Sequence, residues 1–271
     1  MVVLSLLVLL LHSASNVAAT TPVRVLIAGG GPCGLLTAHA LLSRNDQRYE
    51  VDIVEAREDP RFTVPGPRAY SLGLNVRGQS ALRYFDAPTR SPGLLTAVAS
   101  RAVPSDTFYL HIGTTKIGIR KPDKNVGKEA AAAAVLAPPP PTLMVPRNLL
   151  VEGMLESLET RHGGSRLRVA FNTRVADVDL ATGEATLAPA SSSGGAEGER
   201  RRYDLIVGAD GVQSALRDAL QAQAQAQAAD PSPAAFKSEE VVLPSKYKIM
   251  VVPSPPGLER DAIHAMEVRR A

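Results

Sequence analysis

The chain has 271 residues, of which 45% are hydrophobic and 21% are charged, a balance typical of a globular protein that buries a core. Its formal net charge of +3 comes from 30 Lys and Arg against 27 Asp and Glu scattered along the chain, which predicts no nucleic-acid-binding surface. The single cysteine excludes an internal disulfide, and the spacing of the five histidines predicts no metal site.

Residues 1–20 begin with an apolar run, VVLSLLVLLL, and small residues follow it. This layout is typical of a secretory signal peptide or an organelle-targeting leader, although only the amino group of Met1 supplies positive charge. The run is too short to span a bilayer comfortably. We therefore expect entry into the secretory pathway or an organelle, and membrane contact only through the leader. A buried strand or a wrongly assigned start codon is the alternative, which would leave the protein in the cytoplasm.

A short apolar run and a glycine-rich loop follow the leader. Residues 23–28 are apolar and rich in branched side chains, which predicts a strand buried on both faces of a parallel sheet. Gly29, Gly31 and Gly34 then fit the pattern GxGxxG, and apolar residues recur at helical spacing over 35–42. A helix that begins at this loop presents free backbone N–H groups and the positive end of its dipole, which favours binding of a pyrophosphate.

A second apolar run, residues 51–54, places Glu55 at its end, about 20 residues beyond the last glycine. An acidic side chain at this position accepts a hydrogen bond from a ribose 2′-hydroxyl and repels a 2′-phosphate. The order of strand, glycines, helix, strand and acid therefore predicts binding of FAD or NAD. A glycine loop in some other α/β domain is the alternative.

Two other side chains of this segment carry reactive groups. Cys33 lies within the glycine loop, where we expect a small residue packed beneath the cofactor rather than a catalytic thiol. His39 lies along the predicted helix, and we assign it no chemistry.

The rest of the chain alternates predicted elements with weakly specified segments. A helix is predicted at 148–161, strands of a hairpin at 167–180 and 184–188, and a buried strand at 205–208. Alternating patterns near 68–120 and 236–271 predict an antiparallel sheet. Loop insertions are predicted at 128–142 and 191–199, and a frayed helix with a linker at 219–235.

Four stretches carry a resemblance to a known family. They are EAREDPRF, GPRAYSLGLNVRGQSAL, VPRNLLVEGML and YDLIVGADGVQSALR. Together they resemble the FAD-dependent aromatic hydroxylases, and the first two are most similar to the kynurenine 3-monooxygenase group. The resemblance implies an α/β fold with a Rossmann-like FAD-binding domain of three-layer ββα character, interleaved with a mostly antiparallel substrate-domain sheet. With the leader predicted at 1–20 and a low-complexity linker at 221–235, it implies FAD-domain parts at 22–75 and 142–220 and substrate-domain parts at 76–141 and 236–271.

The resemblance also implies which residues contact FAD. It assigns the ribose to Glu55 and the surroundings of the flavin to Arg57 and Arg147. It assigns pyrophosphate support and use of a nicotinamide cofactor to the stretch that contains Asp210, Gly211 and Arg217. The cofactor-binding set predicted in this way comprises Gly29, Gly31, Gly34, Glu55, Arg57, Arg147, Asp210 and Gly211.

The implied activity is hydroxylation of a small aromatic, kynurenine-like substrate. In the family NADPH (or NADH) reduces FAD, the flavin forms a hydroperoxide with dioxygen, and oxygen passes to the ring. No side-chain acid or base is required, so no catalytic residue is predicted. Arg68 and Arg77 are predicted at the border between flavin and substrate, with an exposed surface pair as the alternative.

The sequence departs from the family in two respects. A GDAAH-like element that contacts the flavin in the family does not occur up to residue 271. The arginine that pairs with the substrate carboxylate is not identifiable, and Arg101 and Arg120 are the only substitutes that the sequence suggests. A truncated gene model, a non-catalytic FAD-binding remnant, and another flavoenzyme such as an epoxidase or a reductase therefore stay open.

Overall fold

The computed structural model describes residues 21–44, 47–63, 70–86, 93–112, 114–120, 140–192, 198–226, 239, 241 and 256–266. The predicted leader, most of the loop at 128–142 and the linker beyond residue 226 lie outside the described residues. The helices are α1 (Pro32–Leu42), α2 (Val76–Arg83), α3 (Leu94–Ala99), α4 (Arg147–His162) and α5 (Ala215–Ala226), with a 3-10 turn at Gly211–Gln213. None of these described helices is long and apolar enough to cross a membrane.

The described strands fall into four sheets. Those in the first half of the chain are β1 (Val23–Ala28), β2 (Tyr49–Val54), β3 (Ser71–Leu74), β4 (Val103–Ser105), β5 (Thr107–Ile112) and β6 (Thr115–Arg120). Those in the second half are β7 (Thr142–Pro146), β8 (Leu167–Ala170), β9 (Thr173–Asp179), β10 (Glu184–Pro189), β11 (Glu199–Arg202), β12 (Leu205–Gly208) and β13 (Ala262–Met266). The sheet orders are β12–β1–β2–β8, β11–β10–β9, β3–β7–β4 and β13–β5–β6.

The central sheet, β12–β1–β2–β8, is parallel throughout. Leu26 and Ile27 of β1 are fully buried, as the uninterrupted apolar run predicted. The strand predicted at 205–208 is confirmed as β12, but its predicted burial is wrong, because Leu205 is 41% exposed. Among the described strands β12 pairs only with β1, so it forms an edge of this sheet.

The alternation of side chains along β1 divides the core into two layers. Val25 and Ile27 pack on the side of the helices. This layer includes Leu35, Leu42, Leu150, Met154, Leu155 and Leu158. Leu26 and Ala28 pack on the opposite side, against the antiparallel strands. That layer includes Val175, Val178, Leu187, Tyr203 and Leu216. Helices, parallel sheet and antiparallel sheet therefore stack in the three-layer ββα order that was predicted.

The single strand predicted at 167–180 is wrong, because the structure divides it into two strands in different sheets. β8 pairs in parallel with β2, whereas β9 pairs antiparallel with β10. Between them Asn172 has φ +53°, in the left-handed region that asparagine tolerates better than most residues. The turn at Asn172 therefore ends one layer and begins the next. The hairpin partner predicted at 184–188 is confirmed as β10.

Apart from β7, the strands of the two other sheets lie in the regions where alternation predicted antiparallel pairing. β3 and β4 both pair antiparallel with β7, and β5 pairs antiparallel with β6. β13 departs from this pattern, because it runs parallel to β5. The predicted strand around YKIMVV, at 247–252, lies outside the described residues.

The helix predicted at 148–161 is confirmed as α4, and α1 begins three residues before the predicted apolar spacing because Pro32 fits the first turn of a helix.

Candidate functional site

The glycine loop connects β1 to α1 by a path that only small residues fit. Gly29 has φ +107°, and a β-carbon there would overlap the carbonyl oxygen of Ala209. A β-carbon on Gly34 would overlap the carbonyl oxygen of Gly29. Gly31 is different, since a β-carbon there would meet only the Nη2 atom of Arg147, at 3.6 Å. Gly29 and Gly34 thus allow the tight turn, while Gly31 leaves open space above the start of α1.

That open space belongs to a cavity of about 680 Å³ at the carboxyl ends of the parallel strands. Because β2 and β12 lie on opposite sides of β1, the ends of these two strands flank the glycine loop. Glu55 follows β2 on one side and Asp210 follows β12 on the other. The lining also includes Gly29, Gly31, Arg57, Tyr70, Arg147, Thr173, Arg174, Val175, Gly211, Val212 and Gln213.

Glu55 is held in place by backbone groups on both of its carboxylate oxygens. Oε2 accepts a hydrogen bond from the N–H of Gly30 and Oε1 accepts one from the N–H of Arg57, each at 2.9 Å. Its own N–H donates to Ala170, and its carbonyl accepts from the N–H of Thr173. Each carboxylate oxygen has a second lone pair, so the fixed side chain can still accept from a sugar hydroxyl.

Two predicted arginines border the cavity. Arg57 is exposed, and Arg147 is the half-buried first residue of α4. The N–H of Arg147 donates to the carbonyl of Tyr70 at 3.0 Å, which ties the start of α4 to the residue before β3. Its guanidinium lies beside Gly31, next to the amino end of α1. A cation and a helix N-terminus at one place suit a diphosphate.

Asp210 and Gly211 form the other flank. Oδ2 of Asp210 accepts a hydrogen bond from the N–H of Ala215 at 2.9 Å, at the first residue of α5. Gly211 has φ +83°, the left-handed conformation that glycine adopts without strain. The guanidinium of Arg217 donates to the carbonyl of Val212 at 2.7 Å and contacts Asp218. It is absent from the residues that line the cavity.

The remaining sequence candidates lie away from the cavity or outside the description. Arg77 is exposed on α2 and is not among the lining residues, while Arg68 lies outside the described residues. Arg101 forms ion pairs with two glutamates of α4, Glu152 and Glu156. The structure thus assigns Arg101 to helix packing, and the side chain of Arg120 lies outside the description.

Cys33 is exposed and is not among the residues that line the cavity, and its packing beneath a cofactor stays a prediction. It is the second residue of α1. Among the described residues there is no group of three or more His, Cys, Asp and Glu that could hold a metal ion.

Sequence reasoning missed Tyr70 and the start of β9 as parts of the site. Three residues of β9 line the cavity, namely Thr173, Arg174 and Val175. They lie there because the N–H of Thr173 donates to the carbonyl of Glu55, which places the start of β9 beside Glu55. No local motif marks these residues, since their position depends on the turn at Asn172.

The comparisons with known proteins agree with this geometry. Residues 22–247 match the family model described as FAD binding domain. Kynurenine 3-monooxygenase from Salinispora arenicola is 30% identical over 247 residues, which cover 89% of this chain and 46% of that protein. The enzyme of the same name from Cryptococcus neoformans var. neoformans is 27% identical over 217 residues, or 73% of this chain and 37% of that protein. The chain thus spans less than half the length of these curated relatives.

Solved structures support the fold. The flavin-dependent monooxygenase PieE, in complex with FAD and substrate, aligns with a TM-score of 0.51 at 22% identity, covering 75% of this chain and 32% of that one. The p-nitrophenol 4-monooxygenase PnpA from Pseudomonas putida DLL-E4 aligns with a TM-score of 0.50 at 24% identity, covering 73% and 42%. With the family match over residues 22–247, the chain belongs to the FAD-binding domain family of the FAD-dependent aromatic hydroxylases.

Proposed function

We propose that this chain forms the FAD-binding part of an NAD(P)H-dependent monooxygenase that hydroxylates a small, kynurenine-like aromatic substrate. The observation that carries the proposal is the cavity in which Glu55, the glycine loop and the guanidinium of Arg147 meet. The names of the relatives from Salinispora arenicola and Cryptococcus neoformans var. neoformans support the choice of substrate.

The described residues fit an adenine dinucleotide in a definite orientation. The first intrahelical bond of α1 runs from the N–H of Leu35 to the carbonyl of Gly31, so the N–H groups of Cys33 and Gly34 have no helical partner. These donors and Arg147 would hold the diphosphate. Glu55 would accept from the ribose on the β2 side, and the start of β9 would border the adenine. The rest of the cofactor would then extend toward Asp210 and Gly211.

When bound, FAD supplies the redox chemistry, since it takes electrons from a reduced nicotinamide and activates dioxygen for transfer to an aromatic ring. The residues of this chain bind and orient it. Arg57 lies on the exposed flank of the cavity, whereas the apolar side chains of Val54, Ala28 and Val175 line its inner wall.

The first test concerns Glu55. Glu55→Ala removes the acceptor for the ribose and should weaken FAD binding by about 1.5–3 kcal/mol, or roughly 10- to 150-fold in Kd. Glu58→Ala is the matched control, because Glu58 is an exposed carboxylate three residues away that does not line the cavity. Titration of FAD followed by flavin fluorescence measures both, and equal affinities for the two variants and the wild type would contradict the assignment.

The second test concerns the reaction. The purified chain is supplied with FAD, kynurenine and either NADPH or NADH, and reductant oxidation is followed together with product mass. Product that carries one additional oxygen atom, formed only with kynurenine and FAD, would support the whole proposal. Tight FAD binding without such product under any of these conditions would restrict the function of this chain to cofactor binding.

A further inference from the structure

A buried histidine lies between the two helices that begin at the cavity. His39 of α1 has no exposed surface, and its Nε2 atom lies 3.1 Å from the carbonyl oxygen of Met154 on α4. A carbonyl oxygen only accepts, so Nε2 carries the hydrogen and donates. The neutral ring then leaves a lone pair on Nδ1, which is buried and has no hydrogen-bond partner among the described residues.

The helices that His39 joins both start at the cofactor site. Gly31 caps α1 and Arg147 is the first residue of α4. His39 lies eight residues beyond Gly31, and Met154 lies seven beyond Arg147, which correspond to about 12 Å and about 10 Å along the two helices. The bond therefore joins α1 to α4 at nearly equal depth below the cavity, and it fixes how far apart the two helix starts can lie.

We propose that His39 is a positioning residue for the cofactor site, and that its hydrogen bond to Met154 sets the position of Gly31 relative to Arg147. This inference rests on the proposed FAD-binding function. It gives His39, a residue of the protein interior, a role in holding the diphosphate. A leucine of similar volume would fill the same space but would not fix the register of the two helices.

The surroundings of His39 require the ring to be neutral. Phe85 lies 6.2 Å away and His162 6.1 Å away between ring centroids. The pKa of His39 is lowered to about 4, chiefly by burial; the bond to Met154 opposes the shift, and the nearby His162 and Arg161 add to it. Arg161 itself lies 4.0 Å from Asp86.

The experiment compares His39→Gln and His39→Leu. A glutamine amide can donate to Met154 and does not titrate, whereas leucine cannot donate. At pH 7.5 we expect His39→Leu to bind FAD about fivefold more weakly, the factor set by one neutral hydrogen bond, and His39→Gln to restore binding to within about twofold. His111→Gln is the matched control, because His111 lies on β5 and not at the cavity. Far-UV circular dichroism at the same pH checks that each variant is folded.

A second readout does not depend on FAD. The amide resonance of Gly31 should shift in His39→Leu and return toward the wild-type position in His39→Gln when no cofactor is present. If the wild type takes up no FAD while this resonance responds, the proposed function fails and the positioning role stands. If His39→Leu lowers the melting temperature but leaves both the Kd for FAD and the Gly31 resonance unchanged, the role of His39 is only structural and the inference is overturned.

Discussion

Gly31 and Gly34 belong to the same motif, yet the structure gives them different physical tasks. Gly34 is buried, and its α-carbon faces the backbone of Gly29 with the side chain of Ile27 close by. Gly31 faces the cavity, with only the guanidinium of Arg147 near the place of a side chain. One glycine is therefore needed for folding, and the other for access of a ligand to the backbone.

Alanine at these two positions should separate stability from binding. Gly34→Ala forces a methyl group into the Gly29 carbonyl and should lower the free energy of unfolding by about 1–3 kcal/mol, as overpacking does. Gly31→Ala should leave the free energy of unfolding nearly unchanged and weaken FAD binding, because its methyl group occupies the cavity. Urea unfolding without cofactor and titration with FAD measure the two effects, and a Gly31→Ala variant destabilised as much as Gly34→Ala would refute the distinction.

At the scale of residues, the sequence predicts the positions of those residues that consecutive elements of the chain place together. The order of strand, glycine loop, helix and strand along the chain determines where four of the predicted residues lie. They are Gly29, Gly31, Gly34 and Glu55. The sequence does not predict the local partners of a long side chain, such as the bond from the guanidinium of Arg217 to the carbonyl of Val212.

At the scale of elements, the hydrophobic period locates helices and strands but does not assign them to sheets. β8 and β9 are separated by only two residues, and both alternate. The sequence does not show that β8 pairs with β2 whereas β9 belongs to the next layer. This separation depends on the left-handed turn at Asn172. The parts of the cavity formed by β9 were missed for this reason.

The contact of α1 with α4 should make stability depend on pH. The folded pKa of His39 is about 4, below the ordinary value of 6.5, so the unfolded chain binds a proton first as pH falls. The stability that neutral His39 contributes is present in full above pH 6.5 and is lost as pH falls from 6.5 to about 4. The loss of stability over that window should amount to roughly 3 kcal/mol.

This contribution can be isolated by comparing the wild type with His39→Gln at each pH, because the carboxylates of both proteins titrate alike. The difference in free energy of unfolding between the two should change in favour of His39→Gln as pH falls from 7 to 4. Urea unfolding at half-unit steps of pH measures it. A constant difference over this range would mean that His39 keeps its ordinary pKa in the folded protein.

At the scale of the whole molecule, the apolar pattern of β1 predicted cover on both faces of the central sheet, whereas the three-layer ββα order was implied by the family resemblance. For the outer sheet β13–β5–β6, the sequence showed only alternating polar and apolar side chains, which did not predict that β13 runs parallel to β5. In the register of β5 and β6, Phe108 lies opposite Ile119 and Leu110 opposite Ile117, so apolar side chains share one face. Ile117 is 43% and Ile119 50% exposed, so the described residues cover this apolar face only in part.

Charging that face should improve the solution behaviour of the chain without affecting the cofactor. We expect the double substitution Ile117→Lys with Ile119→Lys to reduce binding of the dye ANS and the tendency to aggregate, because contiguous exposed apolar surface drives both. The Kd for FAD should stay the same, since neither residue lines the cavity. Tyr84→Ser is the control, because Tyr84 is 84% exposed but lies on a different part of the molecule. Dye fluorescence and light scattering during concentration measure the effect, and a double variant that still aggregates like the wild type would place the association-prone surface elsewhere.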